Sequence, residues 1–147
     1  MRIERFLIDK AVSHPQKVAL VTERKRLRYD ELDELSSRLA SALADNGVKR
    51  NDRVLIFMDN CWEAAVSIFA VMKAGATFSP INASTKADKL AFILADCEAS
   101  AILTQAKLMP VVAEAVAGKA SIFVASTNGP NGQCPSGARS FSECLAT

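Results

Sequence analysis

The chain has 147 residues, half of them hydrophobic and 23% charged, with a formal net charge of +2. This composition fits one globular domain with a core, and the weak net charge does not indicate a nucleic-acid partner. The longest apolar region, residues 64–81, is interrupted by Lys73 and Gly75 and is too short to span a bilayer. The first residues lack a signal-peptide pattern, so a cytoplasmic location is the default expectation.

The first predicted elements are a helix and a short hairpin. Apolar residues at helical spacing predict a helix over residues 3–13, which ends at His14 before a proline. Residues 18–21 have the composition of a strand, and residues 27–28 are expected to pair with it. The turn between them, residues 24–26, is basic. The carboxylates that follow neutralise this cluster, so we interpret it as a solvated turn and not as a phosphate site.

A second helix and a buried strand follow. Leucines and alanines in one stripe predict a helix over residues 30–46, with a glycine at the usual position after its end. Residues 54–58 form an apolar run without alternation, which is typical of a strand buried on both faces of a parallel sheet. Residues 61–74 are apolar almost all round and predict a buried helix. Asn60 is expected to cap it, with Glu63 as its capping-box partner.

Strands and helices keep alternating in the second half of the chain. The predicted strands of this half cover residues 76–79, 101–104 and 121–125. Thr85-x-x-Asp88 is expected to open one intervening helix, and residues 105–117 predict another that tolerates Pro110 near its start. Residues 127–137 read as a loop, and residues 141–145 as a last helical turn. This order predicts an α/β fold with a mostly parallel sheet and flanking helices.

Local sequence patterns do not indicate a catalytic, nucleotide or metal site. The glycines do not form the dinucleotide fingerprint or a phosphate-binding loop. His14 has no acid or nucleophile at a familiar spacing, and we interpret it as a helix-end residue. The cysteines lack the spacing of a zinc site, and a Cys134–Cys144 disulfide stays open as an unfavoured alternative. Trp62 is interpreted as a core anchor, with contact to a ligand pocket as the less favoured alternative. The paired carboxylates assigned to the solvated face of the second helix are Asp30, Glu31, Asp33 and Glu34.

Two stretches resemble the adenylate-forming (AMP-binding) superfamily. Residues 15–21 (P-Q-K-V-A-L-V) and 27–32 (L-R-Y-D-E-L) look like the family's P-x-x-x-A-L-v…L-T-Y-x-E-L opening. Residues 72–82 (M-K-A-G-A-T-F-S-P-I-N) look like its L-K-A-G-A-x-x-x-P-L-N/D block. The likeness covers essentially the whole chain. Asn82 favours acyl- and aryl-CoA synthetases, because amino-acid-activating adenylation domains prefer aspartate at that place.

The resemblance implies a fold, an activity and partners. Residues 1–126 would be the N-terminal α/β subdomain of an acyl-CoA synthetase-like large domain, and residues 127–147 a loop and tail leading toward the ATP-binding segment. The parent enzyme would use ATP, magnesium and coenzyme A to turn a carboxylic acid into an acyl-adenylate and then a thioester, with fatty acid metabolism as one setting. The family's phosphate loop ending in P-K-G does not occur in this chain. We therefore assign no catalytic, cofactor-binding or metal-binding residue and expect this chain alone to be inactive.

The alternative is a free-standing, non-catalytic α/β interaction module. The partner expected under the first hypothesis is the remainder of the parent enzyme. Apolar surface that the remainder would cover is expected to favour self-association. A nucleic-acid partner and a membrane span are not expected.

Two residues depart from the family pattern. Arg28 replaces the threonine that would cap the second helix, and its side chain cannot accept a backbone N–H. Asp30 is expected to cap instead and to shift the helix start, and Arg28→Thr is expected to stabilise the fold modestly. Asn51 replaces a glycine and is the next best residue for a left-handed turn.

Overall fold

A five-stranded, fully parallel sheet forms the centre of the structure, a computed structural model that describes residues 3–23 and 25–146. The strands are β1 (Val18–Val21), β2 (Arg26–Arg28), β3 (Arg53–Phe57), β4 (Thr77–Ile81), β5 (Ala101–Thr104), β6 (Phe123–Ser126) and β7 (Arg139–Ser140). The helices are α1 (Glu4–Ser13), α2 (Tyr29–Asp45), α3 (Trp62–Lys73), α4 (Ala87–Asp96), α5 (Met109–Ala115) and α6 (Phe141–Ala146). The sheet order is β4-β3-β5-β6-β7, and β1 and β2 form a separate antiparallel hairpin. The predicted α/β fold with a parallel sheet and flanking helices is confirmed.

The central strand β3 supplies two cores, one on each face of the sheet. Val54 and Ile56 belong to the core that also contains buried residues of α1, α2, α3 and α6. Leu55 and Phe57 belong to the core that contains buried residues of α4 and α5. Because successive side chains of a strand point to opposite faces, burial on both sides requires an unbroken apolar run. The prediction for this strand is therefore confirmed, with bounds shifted by one residue.

Glycine ends α2 as the sequence predicts. Gly47 has a φ of +95°, in the left-handed region that favours glycine. The Val48 N–H donates to the Leu43 carbonyl at 3.0 Å, which is the hydrogen bond of a Schellman motif that spans six residues. Asn51 also lies in the left-handed region, with a φ of +70°, as expected for the residue that replaces the family's glycine.

Two predicted N-caps are wrong. The residue at the cap of α3 is Cys61, and the cap of α4 is Lys86, neither with a side-chain capping hydrogen bond. Asn60 and Thr85 each stand one residue too early. Their side chains are therefore out of register with the free amides of the first turn.

The prediction that Asp30 caps α2 is wrong, because Arg28 is the N-cap and Asp30 lies in the first turn of the helix. Asp30 does supply an acceptor, because its Oδ1 accepts the Glu31 amide at 2.8 Å. The helix start is not shifted, since Tyr29 is already helical and Arg28 holds the extended cap position. The Arg28 amide donates to Glu31 Oε1 at 3.0 Å, while its guanidinium pairs with Asp30 at 2.9 and 3.2 Å.

The later elements mostly follow the prediction. The helix predicted over 105–117 is divided into a 3-10 turn, Ala106–Leu108, and α5, which carries Pro110 in its first turn. The loop over 127–137 and the final helix are confirmed. Strand β7 was not predicted, because two residues are too few to show a periodicity. The basic turn lies partly outside the described residues, since residue 24 is not among them.

Candidate functional site

A cleft of about 1280 Å³ opens at the carboxyl ends of β3, β5 and β6. The helix after β3 packs on one face of the sheet, and the helix after β5 packs on the opposite face. The chain therefore reverses its winding between these two neighbouring strands. Ligand sites of open α/β sheets lie outside the carboxyl ends of the strands at such a switch point. We take this cleft as the candidate functional site.

The floor of the cleft ties the loop after β3 to the loop after β5. Gln105 Oε1 accepts the Asp59 amide at 2.9 Å, and its Nε2 lies 3.6 Å from Cys61 Sγ. The Lys107 ammonium pairs with the Asp59 carboxylate. Burial raises the pKa of the Cys61 thiol, so this sulfur is protonated at neutral pH and is a weak nucleophile.

The loop after β6 and the start of α6 form a second wall. Ser140 Oγ donates to Asn128 Oδ1 at 3.3 Å and lies 3.1 Å from Ser142 Oγ. Thr127 Oγ1 accepts the Ala106 amide at 3.2 Å, which joins this loop to the floor. Across the part of the chain that the structure describes, every buried side-chain N or O atom has a hydrogen-bond partner. The hydrogen bonds of Gln105, Thr127 and Asn128 join the loops that line the cleft to one another.

The hairpin and Trp62 form the third wall. Trp62 packs against the first core with part of its surface exposed, and it also lines the cleft. The Lys25 Nζ lies 4.6 Å from the centroid of the Trp62 ring, within the range of a cation–π contact. The interpretation as a core anchor is correct. Trp62 also lines a cleft, which is the position that the less favoured alternative requires.

The other residues weighed from the sequence do not assemble with the cleft. His14 is exposed at the end of α1, where its Nδ1 lies 3.0 Å from Ser13 Oγ. The sequence predicts that the carboxylates of α2 lie on a solvated face, yet Glu34 is exposed while the other three are partly buried. Asp33 is half-buried because it binds Lys73 of α3. All four cysteines are free thiols.

Within residues 3–23 and 25–146, three or more His, Cys, Asp or Glu side chains do not come together in an arrangement that would hold a metal ion. In the same ranges, none of the helices is long and apolar enough to cross a membrane.

The K-A-G block of the sequence serves the scaffold. Lys73 Nζ donates to the carbonyl and carboxylate of Asp33 at 2.8 and 2.6 Å, which joins α3 to α2. Gly75 ends α3 with a φ of +77°. Asn82 Oδ1 accepts the Ser84 amide at 2.9 Å and closes an Asx turn after β4. Each of these residue types is explained by a structural role.

Comparison with known proteins decides the family. A sequence model of the family described as AMP-binding enzyme matches residues 7–139. The chain belongs to this family. Tyrocidine synthase 1 of Brevibacillus parabrevis is 34% identical over 110 residues, which make up 75% of this chain and 10% of that protein.

Solved structures of CoA ligases share the fold. A protein from Rhodopseudomonas palustris CGA009, described as a long-chain-fatty-acid CoA ligase, superposes with a TM-score of 0.88 at 26% identity, over 98% of this chain and 36% of its own. A benzoate CoA ligase from Burkholderia xenovorans LB400 has a TM-score of 0.86 at 21% identity, over 99% of this chain and 28% of its own. The chain therefore spans 36% and 28% of the lengths of these two ligases. Its fold is that of the N-terminal subdomain of acyl-CoA ligase-like structures.

Proposed function

We propose that this chain is the N-terminal part of an ATP-dependent ligase that converts a carboxylic acid into an acyl-adenylate and then into a coenzyme A thioester. The carrying observation is the family match over residues 7–139, together with a fold that covers 28% to 36% of two CoA ligases. The family's description supports ATP and magnesium as cofactors of the parent, and the CoA ligases among the solved neighbours support coenzyme A. A cytoplasmic location and residues 1–126 as the subdomain proper belong to the same proposal.

The class of carboxylic acid is proposed from one residue and from the solved neighbours. Asn82 favours an acyl- or aryl-CoA synthetase by resemblance, but its oxygen serves an Asx turn that an aspartate would close equally well. The relatives by sequence include peptide synthetases, whereas the solved neighbours include CoA ligases. The test is ATP–pyrophosphate exchange by a longer chain from the same gene with fatty, aryl and amino acids. Exchange that depends on a fatty or aryl acid supports the proposal, and exchange that depends on amino acids alone refutes the CoA ligase assignment.

We infer that the 147-residue chain does not form adenylates by itself. Adenylation requires groups that hold the triphosphate and neutralise its growing charge in the transition state. Two lysines at the cleft are already engaged, since Lys107 pairs with Asp59 and Lys25 lies over Trp62. Lys73 is committed to the contact between α2 and α3.

The alternative function is a free-standing interaction module, favoured by the hydrogen bonds and the ion pair that join the loops around the cleft within this chain. The reading frame after codon 147 distinguishes the two. An open frame that encodes a Ser/Thr/Gly-rich loop supports the ligase, and a native stop supports the module.

Light scattering gives an independent test, because large apolar side chains are exposed. They are Ile3, Phe6, Val12, Val18, Val21 and Phe92. Self-association at high concentration supports a missing covering partner, and a strictly monomeric profile supports the module.

A further inference from the structure

The last helix, α6, depends on its neighbours for its structure. It has six residues, Phe141–Ala146, and an isolated helix of this length is unstable in water. Phe141, Cys144 and Leu145 are buried in the core that also contains Leu39 and Leu43 of α2. Packing against α2 is therefore what keeps α6 helical.

One side chain of α2 holds the carboxyl end of α6. The Arg38 Nη1 donates to the Leu145 carbonyl at 3.0 Å, a contact between residues 107 positions apart. The last carbonyls of a helix have no partner within the helix and carry negative partial charge, so a guanidinium stabilises them. Arg38 is itself oriented by an ion pair with Glu34, one turn earlier on α2.

The amino end of α6 is held independently. Ser140 Oγ accepts the Glu143 amide at 3.4 Å and belongs to the hydrogen-bonded group with Asn128. Loss of the Arg38 contact would therefore release the last turn of α6 first. Ser142 and Leu145 line the cleft, so this turn also shapes the rim of the candidate site.

We propose that Arg38 is a positioning residue. It fixes the last turn of α6 through the Leu145 carbonyl, and thereby sets the direction in which the chain leaves the rim of the cleft. This inference rests on the proposed function, in which residues 127–147 lead toward the ATP-binding segment of the parent enzyme. Arg38 would act on ATP only through the placement of that segment, without touching the nucleotide.

The first test uses the 147-residue chain and the thiol of Cys144, which is 8% exposed on α6. Release of α6 exposes this thiol, and its labelling rate reports the local opening equilibrium. Arg38→Met is expected to speed alkylation of Cys144 by about tenfold, equivalent to about 1.4 kcal/mol. Mass spectrometry of peptides gives the rate at Cys97, which packs in the other core and should change less than twofold.

Two variants separate positioning from general destabilisation. Glu34→Gln removes the ion-pair partner but leaves the guanidinium free to bind the carbonyl, so the Cys144 rate should stay within about threefold of the wild type. Arg38→Lys keeps a donor and should restore most of the protection. An unchanged Cys144 rate in Arg38→Met, or an equal acceleration at Cys97, overturns the local role of Arg38.

The second test measures adenylate formation in a longer chain from the same gene. Arg38→Met is expected to lower kcat/KM for ATP about tenfold and to leave KM for the carboxylic acid within twofold. Faster Cys144 labelling with unchanged ATP kinetics refutes the positioning role. Absence of exchange in the unsubstituted longer chain refutes the proposed function and the ATP-related half of the inference, while the labelling result still decides whether Arg38 holds α6.

Discussion

Lys73 is the clearest place to test how the two largest helices are joined. Its side chain is 9% exposed, and its ammonium contacts Asp33 and the Ser37 hydroxyl at 2.9 Å. Lys73→Met keeps the apolar stem and removes the charge. Asp33 then loses its cation while it stays half-buried on α2. The change therefore tests the ion pair with little loss of packing.

The expected cost follows from the exposure of the two partners. Removing one partner of a fully buried ion pair costs about 3–5 kcal/mol. The Asp33 side chain is 31% exposed and regains part of its hydration, so this cost is reduced. We expect Lys73→Met to lower the free energy of unfolding by about 2 kcal/mol, which corresponds to a fall in Tm of roughly 4–8 °C for a chain of this size.

The assay is urea denaturation at pH 7, with Lys89→Met as the matched control. Lys89 is exposed on α4, and its replacement should change the stability by less than about 0.5 kcal/mol. Asp33→Asn completes a double-mutant cycle, with a coupling energy of about 1 kcal/mol expected between the two sites. A loss in Lys73→Met no larger than that of Lys89→Met would refute the reasoning.

Three further predictions concern turns and helix ends. The structure corrects the gain expected from the sequence for Arg28→Thr. Because Asp30 already accepts the amide that a threonine would bind, the denaturation midpoint should stay unchanged, and a clear gain in urea denaturation would contradict this. Hydrogen bonds, chiefly from the Lys49 amide, lower the pKa of Asp52 in the folded protein. The ionised carboxylate therefore stabilises the fold fully above the ordinary aspartate pKa of about 4, and this stabilisation is lost as the pH falls through the lower pKa of the folded state. The stability difference between wild type and Asp52→Asn should therefore vanish in acid, and a constant difference between pH 7 and 2 would oppose it. Gly75→Ala should cost about 1 kcal/mol or more in the same assay, because φ is +77° there, and an unchanged stability would mean that the turn relaxes.

Local sequence patterns predict the elements whose formation depends on neighbouring residues in the chain. The strand at 54–58 was predicted because burial on both faces requires a continuous apolar run, and the end of α2 was predicted because Gly47 suits a left-handed φ. The N-caps of α3 and α4 were misplaced by one residue. Asn60 and Thr85 are good capping residues, but their backbone is one position outside the helix.

Contacts between residues far apart in the sequence could not be predicted from local sequence patterns. The pairing of Lys73 with Asp33 and the contact of Arg38 with Leu145 depend on which helices become neighbours. The cleft also depends on contacts between distant residues, since Gln105 accepts a hydrogen bond from the loop after β3 only when the sheet has formed. The sequence did indicate the family, because the spacing of the scaffold residues is itself a local pattern.

ATP–pyrophosphate exchange tests the central claim most directly. The pure 147-residue chain and a longer chain from the same gene are assayed side by side with magnesium, ATP and a panel of fatty, aryl and amino acids, and calorimetry checks ATP binding separately. We predict background exchange from the 147-residue chain and exchange that depends on a fatty or aryl acid from the longer chain. Clear acid-dependent exchange from the 147-residue chain alone, or its absence from the longer chain, would contradict the account.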